Sequence, residues 1–173
     1  MNEFSFSVPQ NITVGKGSLT KLPEIAKKSG GSHAFLMSGP HLAKMGLVEK
    51  AANSLKSAGI SVDTFTDIEG NPSVETVDKA TEAFKEAGAD FIVAFGGGSP
   101  MDVAKAVGVT AKYGGSITEY EGAHKVPGPI IPLIAIPTTA GTGSEVTAFS
   151  VITDHSRDYK LTVFSYEILP AYA

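Results

Sequence analysis

The chain contains no cysteine among its 173 residues. It therefore has no disulfide, no thiolate nucleophile and no zinc site built from cysteines. Charged side chains are also scarce, at 18% of the sequence, and they sum to a formal net charge of −4. No long basic run is present, and this slightly acidic balance argues against nucleic acid as the main partner.

Long apolar runs are missing as well. The N-terminal segment MNEFSFS lacks the basic start and apolar stretch of a signal peptide, and no later apolar run reaches membrane-spanning length. We therefore expect a cytoplasmic protein with no membrane partner. Hydrophobic residues nevertheless make up 42% of the chain, which fits a soluble core, and the length suits a single domain over residues 1–173.

A glycine-rich stretch at residues 96–99 stands between an apolar run and a helical pattern. The apolar residues 90–95 have the length and the β-branched or aromatic content of a buried strand. Ser99 suits the N-cap of the next helix, Pro100 its first position, and Asp102 the acid of a capping box. Free N–H groups and the positive end of the helix dipole would then face an open space, which suits a diphosphate.

The same stretch also fits a tight turn between strand and helix that binds nothing. Its spacing matches neither the G-x-G-x-x-G dinucleotide fingerprint nor the G-x-x-x-x-G-K-[ST] of P-loop proteins. A second segment favours binding, because the apolar residues 134–136 lead into small and hydroxylated residues at 138–145. Two such loops at the ends of neighbouring strands predict a cleft.

Strand and helix patterns alternate along the chain. Strands are predicted at residues 33–37, 61–66, 90–95 and 130–136, with further strands at 146–152 and 160–164 around a turn. Ser18 is expected to cap a first helix, and the apolar stripe from Leu42 to Leu55 predicts one continuous helix. Residues 3–8 alternate as a strand and are expected to pair with 12–14. The order predicts an α/β fold with a largely parallel sheet, helices on both faces and an N-terminal strand pair.

Three motifs resemble one known family. GGGSPMDVAKAVG at residues 96–108, IPTTAGTGSEVT at 136–147 and VGKGS at 14–18 are similar to signatures of the iron-containing alcohol dehydrogenases, which are more distantly related to glycerol dehydrogenase and dehydroquinate synthase. The resemblance covers the whole chain and implies a Rossmann-like domain. It also implies NAD(P)-dependent, metal-assisted oxidation of an alcohol or reduction of an aldehyde, with a small-molecule substrate and a homo-oligomer such as a dimer.

The resemblance assigns residues to the cofactor. In that family the glycine turn holds the cofactor's diphosphate, which carries over to Gly96, Gly97, Gly98 and Ser99. Its TTxGTGSE loop flanks the same cofactor, which carries over to Thr138, Thr139 and Thr142. The resemblance also places Asn71, Asp102, Val151 and Lys160 along the cleft. Lys160 is either a partner for a hydroxyl or phosphate or a solvated lysine at the end of a strand.

The residues after the strand at 33–37 bear on the choice of cofactor. NAD-preferring members of the family often have an acid there, where it accepts hydrogen bonds from the adenosine ribose. This chain has Ser38 and Gly39 instead, so no carboxylate repels a 2′-phosphate. We expect NADP to bind at least as well as NAD. The alternative is that Gly39 is only a turn glycine.

The family's metal ligands are an aspartate and three histidines in an all-helical C-terminal domain, which the resemblance places beyond residue 173. The metal in relatives is usually iron or zinc. The histidines present, His33, His41, His124 and His155, lack the spacing of metal ligands, although His124 lies in a loop near the expected cleft mouth. We therefore expect neither a metal ligand nor a catalytic residue within this chain.

Three functions stay open on this reading. The first is the cofactor-binding half of an alcohol dehydrogenase, inactive without the other half, and the second is a nucleotide-binding module without catalysis of its own. The third is a relative that binds a sugar phosphate or acts as a synthase. A Ser-His-Asp hydrolase is not expected, because no G-x-S-x-G elbow occurs.

Overall fold

Helices and strands alternate through most of the chain. The computed structural model describes residues 10–173. The strands are β1 (His33–Ser38), β2 (Ser61–Phe65), β3 (Phe91–Gly96), β4 (Gly122–Ala123), β5 (Leu133–Pro137), β6 (Phe149–Asp154) and β7 (Tyr159–Phe164). The α-helices are α1 (Leu22–Lys28), α2 (Pro40–Lys44), α3 (Leu47–Ser57), α4 (Val74–Ala87) and α5 (Gly98–Tyr113). Short 3-10 helices lie in the connections at Ser18–Lys21, Ile117–Tyr120, Ser144–Val146 and Tyr166–Ile168.

The main sheet contains parallel strands in the order β2-β1-β3-β5. Leu36 of β1 is level with Thr64 of β2 and with Val93 of β3. The chain passes from β1 to β2 on one side and then crosses to β3 on the other, so the strand order reverses between β1 and β3. In open α/β sheets, such a reversal creates a crevice at the carboxyl ends of the strands.

Helices cover both faces of this sheet. Successive residues of a strand point to opposite faces, and accordingly Leu36 packs in one core with Leu55 of α3, while Phe35 packs in the other core against Phe84 of α4. These side chains are almost completely buried, and burial of each contributes about 1.5–3 kcal/mol relative to exposure. The predicted α/β fold, with a largely parallel sheet between two helical layers, is confirmed.

Helix α5 is enclosed on nearly all sides. It packs against β3 and α4 on one side and against β6 on the other. Strand β6 belongs to a second, smaller sheet in the order β4-β7-β6, in which β6 and β7 are antiparallel. Met101, Val103 and Val107 of α5 are fully buried as a result. The first turn of α5 is thereby placed between the ends of two sheets.

Helix α4 has a local sequence signal at each end. The Ser73 hydroxyl oxygen accepts a hydrogen bond from the Thr76 N–H at 3.2 Å, which caps the helix. Gly88 ends it with a φ of 64°, a conformation that favours glycine. These local signals predict the element well because cap and helix are neighbours in sequence.

Two predictions about the first helices are wrong. Ser18 opens a 3-10 helix rather than capping an α-helix, and no side chain among residues 10–173 caps that turn. The continuous helix expected from Leu42 to Leu55 is divided into α2 and α3, because Gly46 adopts a φ of 72° between them and Met45 is left exposed. An apolar stripe reports which face is buried and does not reveal such a break.

Only residues 12–14 of the predicted N-terminal strand pair lie among the described residues. Residues 3–8 lie outside the described part of the chain. Residues 12–14 do not form a strand: Asn11 N donates to Ala171 O at 3.1 Å and Thr13 N donates to Ala173 O at 2.8 Å. Tyr172 forms a parallel bridge with Ile134 of β5. Residues 171–173 and then 11–13 thus continue the main sheet beyond β5.

The last two predicted strands form a hairpin. The first of them starts at Phe149 rather than at residue 146, because Ser144–Val146 is a 3-10 helix. Its turn follows Asp154, as expected from the polar residues there. Among residues 10–173, no helix combines the length and the apolar character needed to cross a bilayer.

Candidate functional site

The carboxyl ends of β1 and β3 lie side by side where the strand order reverses. Ser38, the last residue of β1, is level with Phe95 of β3. The Ser38 hydroxyl is buried and donates to the Phe95 carbonyl oxygen at 2.7 Å. Gly39 follows as the residue before α2, in an extended conformation. The sheet therefore presents its crevice next to the glycine turn.

The glycine turn leads directly into α5. Gly96 has a φ of +155°, and a Cβ there would lie 2.8 Å from Pro100 Cγ, so a larger residue would clash as well as strain the backbone. Helix α5 begins at Gly98 after Gly97, and no side chain of the described residues caps it. The N–H groups of the first helical turn have no partner within the helix. Together with the helix dipole they form a site that favours an anion.

The predicted roles of Ser99 and Asp102 in capping α5 are wrong. Ser99 lies inside the first turn, since the helix starts one residue earlier. The Asp102 carboxylate does not reach back to the helix start. Its Oδ1 accepts from the Ser144 hydroxyl at 2.6 Å, and its Oδ2 accepts from Val151 N at 3.2 Å. Residues distant in sequence satisfy Asp102, so local spacing could not identify its partners.

The second loop packs against the glycine turn. Thr138 N donates to the Gly96 carbonyl oxygen at 2.9 Å. A Cβ on Gly97 would lie 3.0 Å from Thr139 Oγ1, and a Cβ on Gly98 would lie 3.2 Å from Thr142 Cγ2. Both distances are shorter than ordinary van der Waals contacts. Glycine at these positions lets the loop of residues 138–143 approach the start of α5.

A cleft of about 330 Å³ opens beside the start of α5. The residues predicted for the site that line it are Asn71, Gly98, Ser99, Asp102, Thr142, Val151 and Lys160. They come from the loop before α4, from α5, from the second loop and from the small sheet. The structure brings together in one concavity residues that are up to 89 positions apart in sequence, as for Asn71 and Lys160.

The other predicted residues do not line this cleft. They are Ser38, Gly39, Gly96, Gly97, Thr138 and Thr139. The Ser38 side chain is fully buried, so its hydroxyl faces the sheet and not the crevice. Thr138 and Thr139 are exposed on the second loop, on the same side of the sheet as the glycine turn.

The role of Lys160 as a partner for a hydroxyl or phosphate stays a prediction. Its side chain is exposed at the start of β7, and its Nζ donates to Asn71 Oδ1 at 2.9 Å. Asn71 has a φ of 55°, which is unusual for a residue other than glycine. Such strain is retained where the surroundings fix it, here by the Thr153 N–H, which donates to the Pro72 carbonyl oxygen at 2.8 Å. Asn71, Pro72, Thr153 and Lys160 together form one wall of the cleft.

Further residues of the cleft were not predicted from the sequence. Thr147, Phe149 and Thr153 line it together with Val151. A signal was available, because Phe149, Val151 and Thr153 alternate along β6 with the buried Ser150 and Ile152. The period of a strand places the three alternate side chains on one face. The assignment of Val151 to the cleft therefore also implied Phe149 and Thr153, which lie two residues away on the same face of β6.

Lys105 is the other group that the sequence analysis missed. Its side chain is fully buried, and Nζ donates to Ser144 Oγ at 3.0 Å, to Thr147 O at 2.9 Å and to Phe149 O at 2.7 Å. Burial lowers the pKa of Lys105 to about 8, against the opposing effect of nearby carboxylates. Burial raises the pKa of Asp102 above its usual value, while the hydrogen bond from Ser144 and the charge of Lys105 oppose that rise.

The histidines do not gather around the cleft. His33 Nε2 lies 2.7 Å from Asp63 Oδ2 at the opposite end of the sheet. His124 is exposed, and its ring lies against Phe164 with 4.8 Å between centroids, so it does not line the cleft. Within residues 10–173, no group of three or more acidic or histidine side chains is arranged to hold a metal ion. The described residues therefore do not fit the metal that the resemblance implies.

The cleft residues do fit a dinucleotide. The main-chain N–H groups at Gly98 and Ser99 suit a diphosphate, since no side chain of the described residues caps the helix there. Asp102, Asn71 and Lys160 supply acceptors and a donor for sugar hydroxyls. Phe149 adds an exposed aromatic surface. An anionic, hydroxyl-rich ligand with a ring system matches this set of groups.

The chain is similar to several known dehydrogenases and reductases. The chain is 36% identical over 169 residues to the NAD-dependent methanol dehydrogenase of Bacillus methanolicus, which covers 98% of this chain and 44% of that protein. It is 43% identical over 159 residues to the choline dehydrogenase of Bacillus subtilis (strain 168), covering 90% of this chain and 40% of that protein. Sulfoacetaldehyde reductase from Bifidobacterium kashiwanohense, solved in complex with NAD+, matches with a TM-score of 0.92 and 34% identity, over 100% of this chain and 46% of that one.

The relatives are dehydrogenases or reductases, and the chain spans less than half of their length. The family described as iron-containing alcohol dehydrogenase matches residues 9–173. That range includes the glycine turn, the second loop and the whole cleft. The motifs, the fold and these similarities lead to one conclusion: the chain belongs to the iron-containing alcohol dehydrogenase family.

Proposed function

We propose that this chain is the dinucleotide-binding part of an NAD(P)-dependent alcohol dehydrogenase that interconverts a small primary alcohol and its aldehyde. The observation that carries the proposal is that the glycine turn and the second loop (residues 138–143) pack together at the start of α5, beside a polar cleft. Main-chain N–H groups at Gly97, Gly98 and Ser99 would hold the diphosphate. Bound there, the nicotinamide cofactor would supply hydride transfer.

The remaining predicted residues have roles within this proposal. Asn71, Asp102 and Lys160 would bind sugar hydroxyls, and Val151 would form an apolar wall. Thr138, Thr139 and Thr142 would flank the diphosphate from the second loop. The main chain at Ser38 and Gly39 would face the adenosine ribose from the end of β1, since the Ser38 hydroxyl is bound to the Phe95 carbonyl oxygen. By positioning the cofactor, these residues would lower the entropic part of the barrier to hydride transfer.

The experiment that tests this role replaces Gly97. A valine there would crowd Thr139, since even a Cβ lies 3.0 Å from its Oγ1. We expect Gly97→Val to weaken NAD(P)H binding at least about tenfold, which corresponds to about 1.4 kcal/mol. Gly70→Ala is the matched control, because a Cβ at Gly70 meets nothing within 4 Å. Unchanged affinity in a folded Gly97→Val protein would refute the proposal.

We also propose that NADP binds at least as well as NAD. No carboxylate follows β1, where Ser38 and Gly39 stand, so nothing there repels a 2′-phosphate. The variant Gly39→Asp supplies that carboxylate. Its backbone φ of −88° is open to any residue, and its Cβ would lie 3.3 Å from the Ile68 carbonyl oxygen, which would have to shift by a few tenths of an ångström. We expect the variant to favour NAD. Titration of both cofactors tests this, and NAD binding about tenfold tighter than NADP in the unaltered chain would reject it.

A second candidate is a nucleotide-binding module without catalysis of its own. It is favoured by the finding that residues 10–173 contain no arrangement of side chains fit for the metal that the resemblance implies. Under either candidate we expect this chain alone to bind the dinucleotide without oxidising alcohols. Metal analysis together with an assay on simple alcohols tests this shared expectation, since stoichiometric iron or zinc with turnover would place the ligands within this chain and contradict both candidates. We further propose a cytoplasmic homo-oligomer, in line with the family resemblance.

A further inference from the structure

A buried lysine joins α5 to the segment that forms one wall of the cleft. Lys105 is 0% exposed, and its ammonium donates to Ser144 Oγ, Thr147 O and Phe149 O at 2.7–3.0 Å. An ammonium has three donor protons, and here each one has an acceptor. All three acceptors belong to residues 144–149, which lead from the second loop into β6.

The hydrogen bonds from Lys105 fix the direction of the next one. An ammonium only donates, so Ser144 Oγ must accept from Lys105. The Ser144 hydroxyl proton is therefore directed to Asp102, whose Oδ1 lies 2.6 Å away. Ser144 is itself buried, with 5% of its surface exposed, so water does not compete readily for this proton. Lys105, Ser144 and Asp102 form a chain of hydrogen bonds with a single polarity.

The end of this chain lies in the cleft. Asp102 lines the cleft, and its Oδ2 accepts one hydrogen bond, from Val151 N at 3.2 Å. A carboxylate oxygen can accept more than one hydrogen bond. The Asp102 backbone is also fixed, because its carbonyl oxygen accepts from the Ser150 hydroxyl at 2.8 Å. The carboxylate is thus held by one hydrogen bond to each oxygen, and Oδ2 can accept a further one from a ligand in the cleft.

We propose that Lys105 is a positioning residue: acting through Ser144, it orients the Asp102 carboxylate to accept a hydrogen bond from a hydroxyl of the bound dinucleotide. The same ammonium holds the main chain at Thr147 and Phe149, two residues of the cleft wall. Lys105 does not touch the ligand itself. This inference rests on the proposed function, since it takes the dinucleotide to be the ligand of the cleft.

The test compares dissociation constants for NADH and NADPH in the whole chain. The variants are Lys105→Met, Ser144→Ala and the double variant, with circular dichroism as the check of folding. We expect each single variant to lose about tenfold in affinity, in the range of one hydrogen bond to a charged group. The double variant should lose no more affinity than whichever single variant binds more weakly, because Lys105 and Ser144 act through the same carboxylate.

The pH dependence separates positioning from a general structural role. The charged groups that act on the Lys105 ammonium are Asp102 on α5 and Glu145 in the 3-10 helix Ser144–Val146. Both remain in Lys105→Met. The affinity of the unaltered chain for the dinucleotide should fall as the pH rises through about 8, where Lys105 loses its proton. The affinity of Lys105→Met should not show this fall. A structural role alone would not create this difference.

The outcomes are distinguishable. If the unaltered chain binds neither dinucleotide, the proposed function falls and this inference falls with it. If the unaltered chain binds but folded Lys105→Met binds equally well, this inference alone is overturned. Losses that add in the double variant would also overturn it, because the two residues would then act separately. Should Lys105→Met fail to fold, Ser144→Ala decides, since it removes only one hydroxyl.

Discussion

At the scale of single residues, the least expected feature is a lysine in the core. Lysine is almost never fully buried unless it is paired, and Lys105 has two carboxylates close enough to affect its pKa. The pattern of apolar residues in α5 predicts which face of the helix is buried. It gives no reason to expect that Lys105 is buried as well. Its three acceptors lie 39–44 positions away in the sequence. Such partners cannot be predicted from local spacing.

The first prediction concerns stability at alkaline pH. The pKa of Lys105 is about 8 in the folded chain and 10.5 in an unperturbed lysine, so between these values the unfolded chain binds more protons. The free energy of unfolding should therefore rise with pH in this window, by up to about 1.4 kcal/mol per pH unit for this group. The comparison is urea unfolding of the unaltered chain and Lys105→Met from pH 7.5 to about pH 9.5. Equal pH dependence in both proteins would contradict the prediction.

The candidate site was predicted to different degrees at different residues. The glycine turn could be found because its function depends on consecutive residues, Gly96 to Ser99. The roles of Ser99 and Asp102 as caps were wrong, since Gly98 already belongs to the helix and Ser144 takes the Asp102 carboxylate. Whether the assigned residues bind a cofactor stays a prediction. The geometry adds the neighbours of Val151 on β6 to that set.

At the scale of elements, glycines decide where helices break. Gly46 separates α2 from α3 with a φ of 72°, although a Cβ there would meet no atom within 4 Å. Gly46→Ala should therefore destabilise the chain through backbone strain alone, by about 1–2 kcal/mol. Thermal unfolding measures this effect, and Gly70→Ala is the control without a left-handed backbone. An unchanged melting temperature in Gly46→Ala would show that the turn can adopt another conformation without cost.

The hairpin of β6 and β7 depends on one carboxylate. Asp154 accepts from the Ser156 N–H at 3.0 Å, from the Ser156 hydroxyl at 2.6 Å and from Arg157 Nε at 2.6 Å. These bonds lower the pKa of Asp154 to about 2 from 3.8. The stabilisation is therefore present above about pH 4 and is lost as the pH falls through about 2.

Asp154→Asn tests this prediction. The variant should melt at a lower temperature than the unaltered chain at pH 7, and the difference should shrink as the pH approaches 2. Melting curves followed by circular dichroism at several pH values give the answer. A difference that stays constant with pH would mean that the Asp154 charge does not stabilise the turn.

At the scale of the whole molecule, the order of elements was predictable. The alternation of strands and helices gave the parallel sheet and its two helical layers, because each element carries its own pattern of buried residues. The second sheet was harder to foresee. Its strand β4 comprises only Gly122 and Ala123 and pairs with β7 about forty residues later. So short a strand carries no periodic signal of its own.

The edge of the main sheet suggests self-association. Val14 is 90% exposed and Ile12 is 47% exposed beside a groove lined largely by apolar side chains. Exposed apolar patches of this kind are typical of interfaces. In line with the proposed homo-oligomer, we expect the chain to elute larger than a monomer in size-exclusion chromatography with light scattering. Val14→Glu should shift it toward the monomer, whereas a clean monomer of the unaltered chain at high concentration would argue against this surface.

Helix α5 has one more consequence for the molecule. Its middle turns touch both sheets and α4, and most of its side chains are fully buried. Solvent deuterium can reach its amide protons only when these layers separate, so exchange in the middle of α5 should report complete unfolding of the chain. The first turn of the same helix meets the cleft, and a ligand that stabilises that turn would therefore slow exchange in regions it never contacts.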